Sequence, residues 1–373
     1  MTNAPFEIFL SVVPGLENVL LAEANALGFK EATQVPGGVT IQGGWPDVWR
    51  ANLHLRGASR VLARIGAFRA FHLAQLDKRA RKFAWGDVLR PDVPVKVEVT
   101  CKKSKIYHAG AATQRIERAL FETLGVTILK DAPLRLMARI EDDLCTFSLD
   151  TSGAPLHRRG FKEFVGKAPM RETMAALILH KCGYSGTEPV LDPMCGSGTF
   201  VIEAAEIALN LPPGRARSFA FEMLKSFDSD AWSKLQTTVT QTNTSLKFFG
   251  SDRDAGAIRG ANDNAARSGV HSHVVFTHQA VSNLNTPDLA GTPPGLVIIN
   301  PPYGARVGNK KPLYGLHAAM GKTLLKRFKN WRIGLVTTDS SLANATGLPF
   351  DPPSAPIAHG GLNIKLWQTA PLK

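Results

Sequence analysis

Cysteine is scarce in this chain: Cys101, Cys145, Cys182 and Cys195 stand far apart and form no Cys-x-x-Cys pair. That excludes a disulfide framework or a zinc knuckle and matches a reducing, cytoplasmic setting. The ten histidines never adopt a His-x-x-x-His spacing, so no metal is expected. No stretch reaches the roughly 18 apolar residues that a membrane span needs. Met1-Thr2-Asn3-Ala4-Pro5 lacks the basic-then-apolar order of a secretory signal, so no membrane partner is expected. Internal repeats and low-complexity segments are missing too. Acidic residues are in short supply, 31 against 44 Lys and Arg, which leaves a net charge of +13. The surplus runs through both halves and favours a polyanionic partner, since each neutralised phosphate releases counterions.

What remains is an ordinary globular composition in 373 residues, enough for about two domains. In the front half, Phe6–Val12 alternates like a strand, and Leu16, Val19, Leu20, Ala24 and Leu27 keep helical spacing. Further strands are expected at 38–42, 60–70, 93–100 and 134–140, with helices over 45–55 and 109–124. Arg135 and Arg139 share one face of their strand, with Leu134, Leu136 and Ile140 on the other. From about Ala168 short apolar strands alternate with helices. The strands are 189–192, 246–251, 273–277, 295–299 and 332–337; the clearest helices are 199–209, 254–267 and 313–328. That alternation predicts crossover units on a mainly parallel sheet.

Two motifs carry chemistry. The first is Val190-Leu191-Asp192-Pro193-Met194-Cys195-Gly196-Ser197-Gly198-Thr199, a strand, a glycine loop and a helix start. Gly196 and Gly198 let backbone N–H groups approach a ligand. A Walker loop would end in Gly-Lys-Ser/Thr, and a dinucleotide fingerprint would carry a third glycine; neither is present. Asp252 ends the next strand, where an acid can accept both hydroxyls of a ribose; Asp254 fits a helix cap better. The second motif is Asn300-Pro301-Pro302-Tyr303 after the apolar run Leu296–Ile299. Two prolines fix a turn from which the Asn300 side-chain oxygen and the Pro301 carbonyl can receive the two hydrogens of a planar amino group. Tyr303 offers a stacking surface for a flipped-out base. Cys195 lies inside the glycine loop, which argues for a small buried residue rather than a cytosine-C5 nucleophile. Lys102-Lys103-Ser104-Lys105, followed by Tyr107, is a basic run suited to phosphates, as are Lys78–Lys82 and the Arg135/Arg139 face.

Together with Val13-Pro14-Gly15-Leu16-Glu17, Leu156-His157-Arg158-Arg159-Gly160-Phe161 and Ala168-Pro169-Met170-Arg171-Glu172-Thr173, these motifs resemble the THUMP-domain class I RNA methyltransferases of the RlmL type, guanine-N2-methyltransferases of 23S rRNA. The resemblance implies an α/β fold, a Rossmann-like class I methyltransferase domain preceded by an α+β ferredoxin-like/THUMP region. It divides the chain into a ferredoxin-like segment (1–60), a THUMP RNA-binding domain (61–152), a linker (153–167) and the methyltransferase domain (168–373). It implies S-adenosylmethionine held by Asp192, Pro193, Cys195, Gly196, Ser197, Gly198, Thr199 and Asp252, with Glu172 and Thr173 closing over it. Asn300, Pro301, Pro302 and Tyr303 would be catalytic. Lys102, Lys103, Lys105, Arg135, Arg139, Arg158 and Arg159 would meet structured RNA, 23S rRNA or tRNA. Where the family carries an acid for the adenine amino group this chain has Ala280, which passes that contact to Gln279 or to a backbone carbonyl. Alternatives are a tRNA guanine-N2-methyltransferase, adenine-N6 methylation of DNA, glutamine methylation of a release factor, and a non-catalytic RNA-binding assembly factor.

Overall fold

The alternating segments of the front half pair into one seven-stranded sheet. In this computed structural model, residues 5–166, 170–238, 240–286, 293–302 and 311–373 are described. They form two compact units, each discontinuous in sequence. The first takes Met1–Val12, Leu20–Leu156 and Arg217–Thr238; the second takes Val13–Val19, His157–Ala216 and Val239–Lys373.

The first unit runs β1 (Phe6–Ser11), α1 (Glu17–Ala26, whose first turn belongs to the second unit), β2 (Thr33–Val35), β3 (Gly38–Gly43), α2 (Trp45–His54), β4 (Arg60–Arg69), α3 (Leu73–Arg81), β5 (Val95–Lys102), α4 (Ala109–Leu124), β6 (Leu134–Glu141) and β7 (Leu144–Asp150). Strand order is β2-β3-β1-β4-β7-β6-β5. Every pairing is antiparallel except β5 with β6, whose parallel register needs a crossover, and α4 supplies it. On β6, Leu134, Leu136, Ala138 and Ile140 are buried, as the period of two requires. Phe147 of β7 is fully buried against Trp85 (4.8 Å between ring centroids), Phe83 (5.2 Å) and Phe68 (5.5 Å).

The second unit contains α5 (Glu172–Lys181), β8 (Val190–Asp192), α6 (Thr199–Ala208), β9 (Phe248–Asp252), α8 (Ala255–Ser268), β10 (Val274–His278), β11 (Leu296–Ile299), α9 (Lys311–Arg327), β12 (Arg332–Thr337), α10 (Ser340–Asn344), β13 (Ile357–His359) and β14 (Leu362–Gln368). α7 (Ser229–Thr237) belongs to the first unit. Strand order is β10-β9-β8-β11-β12-β14-β13, parallel from β10 to β12 and antiparallel beyond. The chain therefore winds outward from β8 in both directions, and right-handed crossovers put α6 and α8 on one face and α9 on the other. α5 is buried along nearly its whole length, as an apolar helix within a core should be. Val297, Ile299, Ile333 and Leu335 meet Met320 and Leu324 of α9, and Phe328 just after it, in one apolar cluster. Among the described residues no helix is long and apolar enough to cross a membrane.

Two divisions differ from the sequence-based expectation. Arg217–Thr238, expected within the methyltransferase domain, clusters with the first unit. Its aromatic side chains are the cause. Phe221 sits 6.2 Å from Trp49 of α2 and 5.0 Å from Trp232, while Phe227 lies 6.0 Å from Trp49. The Phe221 amide also donates to the Thr151 carbonyl (3.0 Å), and the Lys225 amide to that of Val88 (3.0 Å). The expected linker is likewise divided. From His157 onward it is part of the second unit, packed and hydrogen-bonded there.

A buried polar network closes the first unit where β7 ends. Asn52 Nδ2 donates to the Val48 carbonyl (2.9 Å) and to Thr151 Oγ1 (3.0 Å), and its Oδ1 accepts from Ser152 Oγ (2.7 Å). Ser152 Oγ in turn accepts from the Val61 amide (2.9 Å), and Arg60 pairs with the buried Asp150. Asn52→Ala strands the Ser152 hydroxyl without its acceptor. We expect it to lower unfolding free energy by about 2–4 kcal/mol in urea titrations followed by circular dichroism, given ~1–3 kcal/mol for each buried polar group left unpaired. A loss below about 1 kcal/mol would show that the network is dispensable.

Candidate active site

Three neighbouring parallel strands end at one edge of the second unit's sheet. β8 pairs with β9 at Asp192↔Gly250 and with β11 at Val297↔Leu191. Asp252 thus ends β9 and Asn300 follows β11, on either side of the glycine loop. This is the crevice in which open α/β sheets bind ligands.

The loop is held by its own backbone and by Asp252. The Cys195 amide donates to the Ser251 carbonyl (3.0 Å), and the Gly196 amide donates to Asp252 Oδ2 (3.0 Å). Asp252 Oδ1 accepts from the Asp254 amide (2.9 Å). Asp254 itself caps α8, accepting from the Gly256 and Ala257 amides. Gly198 stands at φ +80 as the N-cap of α6, and a Cβ there would come within 2.8 Å of the Phe276 ring. At Gly196, whose φ is +51, nothing lies within 4 Å of the Cβ position, so there is open space beside the loop there.

Asp192 is buried and its Oδ1 accepts from the Met194 amide (3.0 Å). Burial, reinforced by the Asp252 carboxylate, pushes its pKa up to about 8. Burial also holds the Cys195 thiol protonated, far above its ordinary range, which removes the thiolate that a nucleophile would need. Ser197 Oγ and Thr199 Oγ1 lie 3.2 Å apart, both buried. On β11's side, Asn300 Oδ1 is buried and has no hydrogen-bond partner among the described residues. Pro301 is buried and Pro302 exposed; Tyr303 lies outside the described residues. Gln279 donates its amide N–H to the Asp252 carbonyl (2.9 Å), while its side chain donates to the Asn283 carbonyl (2.6 Å). Ala280 beside it is exposed.

Glu172 and Thr173 open α5 and are both buried. Two neighbours that no motif announced hold this region. Lys162 Nζ reaches Thr199 Oγ1 (2.9 Å), the Met170 carbonyl (3.0 Å) and Glu172 Oε1 (3.2 Å). Asn264 of α8, fully buried, accepts at Oδ1 from the Glu163 and Phe164 amides (3.2 Å each) and donates from Nδ2 to the Ser197 carbonyl (3.1 Å). The only sequence signal for Asn264 is an amide on the Ala/Gly face of a helix, and nothing in the sequence sets Lys162 apart from the chain's other cations.

The expected RNA-contacting cations fare unevenly. Arg159 is buried, with 1% of its side chain exposed, and its Nε lies 3.1 Å from the equally buried Glu203 Oε1. It is a structural ion pair and out of reach of a phosphate, which corrects the expectation. Arg158 is exposed. Lys102 and Arg139 are well exposed, each paired with Glu141 (3.1 and 2.5 Å). Arg135 faces Glu98 (3.4 Å) and Asp150 (3.9 Å). Lys103 is exposed, and Lys105 lies 5.0 Å from the Phe71 ring.

Comparison with known proteins places this edge in a family. Residues 159–349 match the model of the RMKL-like methyltransferase domain, and residues 7–62 that of the RlmL ferredoxin-like domain. The chain is similar to the "Ribosomal RNA large subunit methyltransferase K/L" of Psychromonas ingrahamii, 32% identical over 91% of this chain and 47% of that protein. It thus spans about half the length of that curated relative. It is also similar to the "Putative RNA methyltransferase slr0064" of Synechocystis, 29% identical over 98% of this chain and 96% of the relative. Among solved structures, SMU.472, a "putative methyltransferase complexed with SAH", superposes with a TM-score of 0.87 at 26% identity, covering 99% of both chains. The chain belongs to the RMKL-like methyltransferase-domain family and carries an RlmL-type ferredoxin-like domain before it.

Proposed function

We propose that this chain transfers a methyl group from S-adenosylmethionine to the exocyclic N2 amino group of a guanine in structured RNA, with 23S rRNA as the substrate. The observation that carries the chemistry is the buried Oδ1 of Asn300 at the C-terminal edge of β11, which has no hydrogen-bond partner among the described residues. A buried amide oxygen without a donor costs about 1–3 kcal/mol. An amino group of the substrate relieves that cost.

The residues around the glycine loop fit the cofactor. The open space beside Gly196 and the start of α6 accept a close ligand, and Asp252 has the position of a ribose-diol acceptor. Asp192 and Glu172 offer carboxyls to the cofactor's ammonium, with Thr173 beside them. When bound, the cofactor supplies an activated methyl on a sulfonium. The protein's own task is to orient the amine. Its lone pair is delocalised into the base, so Asn300 Oδ1 and the Pro301 carbonyl would hold the two N–H groups and turn that pair outward. Catalysis is then positioning rather than strong base chemistry. Tyr303 is proposed as the stacking surface for the flipped base, with the THUMP-type region of the first unit holding the RNA. The exposed Lys102, Lys103, Lys105, Arg139 and Arg158 are proposed phosphate contacts, while Gln279 is proposed to recognise adenine through its backbone. The relative whose name gives ribosomal RNA as its substrate supports the choice of RNA over DNA.

Asp252→Ala should weaken S-adenosylmethionine binding at least about tenfold in calorimetry, the scale of losing a charged hydrogen-bond acceptor of ~1.5–3 kcal/mol. Unchanged affinity would remove Asp252 from the site. Asn300→Ala should leave cofactor and RNA affinity nearly unaltered, yet lower single-turnover methyl transfer about a hundredfold or more. Mass spectrometry of the digested product should identify N2-methylguanine. Normal turnover would refute the orienting role, and a methylated adenine would overturn the guanine assignment.

A further inference from the structure

The segment Arg158–Phe164, which reads as part of a linker, is built into the second unit. Arg159 is buried on Glu203 of α6. The Phe161 carbonyl accepts from Arg267 Nε (2.8 Å), and the Phe164 ring fills the place of a side chain at Gly260, 2.2 Å from where its Cβ would stand. Between these anchors Lys162 extends inward, its side chain only 12% exposed. Its three ammonium hydrogens have three partners, each at the start of a helix: Thr199 opens α6, Glu172 opens α5, and Met170 precedes it.

This is an unfavourable place for a lysine. Helix starts carry positive partial charge, so an ammonium between two of them is opposed by both dipoles. Glu172 is what offsets it. The carboxylate is itself buried, and a buried ion pair contributes little net stability compared with an apolar replacement. A latch that only fastened the segment would do as well with a methionine. What the charged pair adds is an ionised Glu172 beside the glycine loop.

We infer that Lys162 is a positioning residue of the cofactor site: it holds Glu172 as a carboxylate at the start of α5, aimed at the cofactor's ammonium group, and ties it to Thr199 of the glycine loop. The inference rests on the cofactor reading above. Burial already raises the Glu172 pKa, with Lys162 opposing that rise. Removing the ammonium takes away that opposition, so Glu172 holds its proton to higher pH in the variant than in the wild type. The other charged groups facing Glu172 are Arg159 and Glu203. His157, whose pKa burial and the nearby cations lower to about 4, also faces the Lys162 ammonium and will gain basicity when it is removed.

The test measures S-adenosylhomocysteine dissociation constants by calorimetry from pH 6 to 8 for the wild type, Lys162→Met, Lys162→Arg and the double variant Lys162→Met/Glu172→Gln. The ratio of variant to wild-type constants cancels the titration of Asp192. For Lys162→Met that ratio should grow severalfold as pH falls from 8 to 6, because the variant's Glu172 protonates before the wild type's. Lys162→Arg should restore most of the affinity, and the double variant should bind weakly with a ratio independent of pH. A pH-independent ratio for Lys162→Met would overturn the inference, as would pH dependence that persists in the double variant and so belongs to His157. A wild type that fails to bind S-adenosylhomocysteine would instead overturn the cofactor reading, and this inference with it.

Discussion

One hydrogen bond orders the catalytic edge: the Gly196 amide donating to the Asp252 carboxylate. It joins the loop after β8 to the end of β9, so the acid and the glycine backbone keep their relation without a ligand. The Cys195 amide on the Ser251 carbonyl repeats that tie one residue back. Because β8, β9 and β11 are parallel neighbours, the same register carries Asn300 to the opposite side of the loop. The crevice at this edge and the position of the Asn300 turn beside it are consequences of strand order. Parallel strands aim all their carboxyl ends one way, and the switch point at β8 opens the crevice between them.

The charges around this edge show how burial assigns roles. Three carboxyls, Asp192, Asp252 and Glu172, lie within the second unit close to the loop, yet their environments differ. Asp192 has one backbone donor and no cation, so its proton is retained into the neutral range. Glu172 has a lysine, and Asp252 two backbone amides. The Arg159–Glu203 pair beneath them removes one more cation from the surface and converts an apparent RNA contact into part of the core. Net charge alone, +13, could not distinguish such an arginine from an exposed one.

Much of this was legible in the residues. Strict alternation exposed β6, and helical spacing with a terminal glycine exposed α4, which ends at Gly125 with φ +74. The glycine loop and the Asn300 turn were legible because each needs residues that little else explains. β7 escaped notice because its hairpin turn is Asp142-Asp143, both in the left-handed region, rather than a glycine turn. α3 escaped because Lys78–Lys82 reads as a charge run; only Leu76 and Ala80 of that helix are buried. Membership of Arg217–Thr238 in the first unit depends on Trp49, more than 160 residues earlier, and no local pattern announces it. The anchoring of Lys162 is tertiary in the same sense.

That late-arriving segment has a consequence for synthesis. The chain visits the second unit at Val13–Val19, returns to the first, crosses again at His157, and goes back once more at Arg217. A ribosome delivers residues from the amino end, and domains generally fold as units in that order. Here the order cannot hold. When Leu156 emerges, Trp45 of α2 already has Phe6, but Trp49 still lacks Phe221 and Phe227. The first unit is completed only after the glycine loop has been made, and the second only after the final hairpin has paired. Neither unit is therefore complete before segments of the other have been made, and Trp49 gains its late partners only once Arg217–Thr238 has been synthesised.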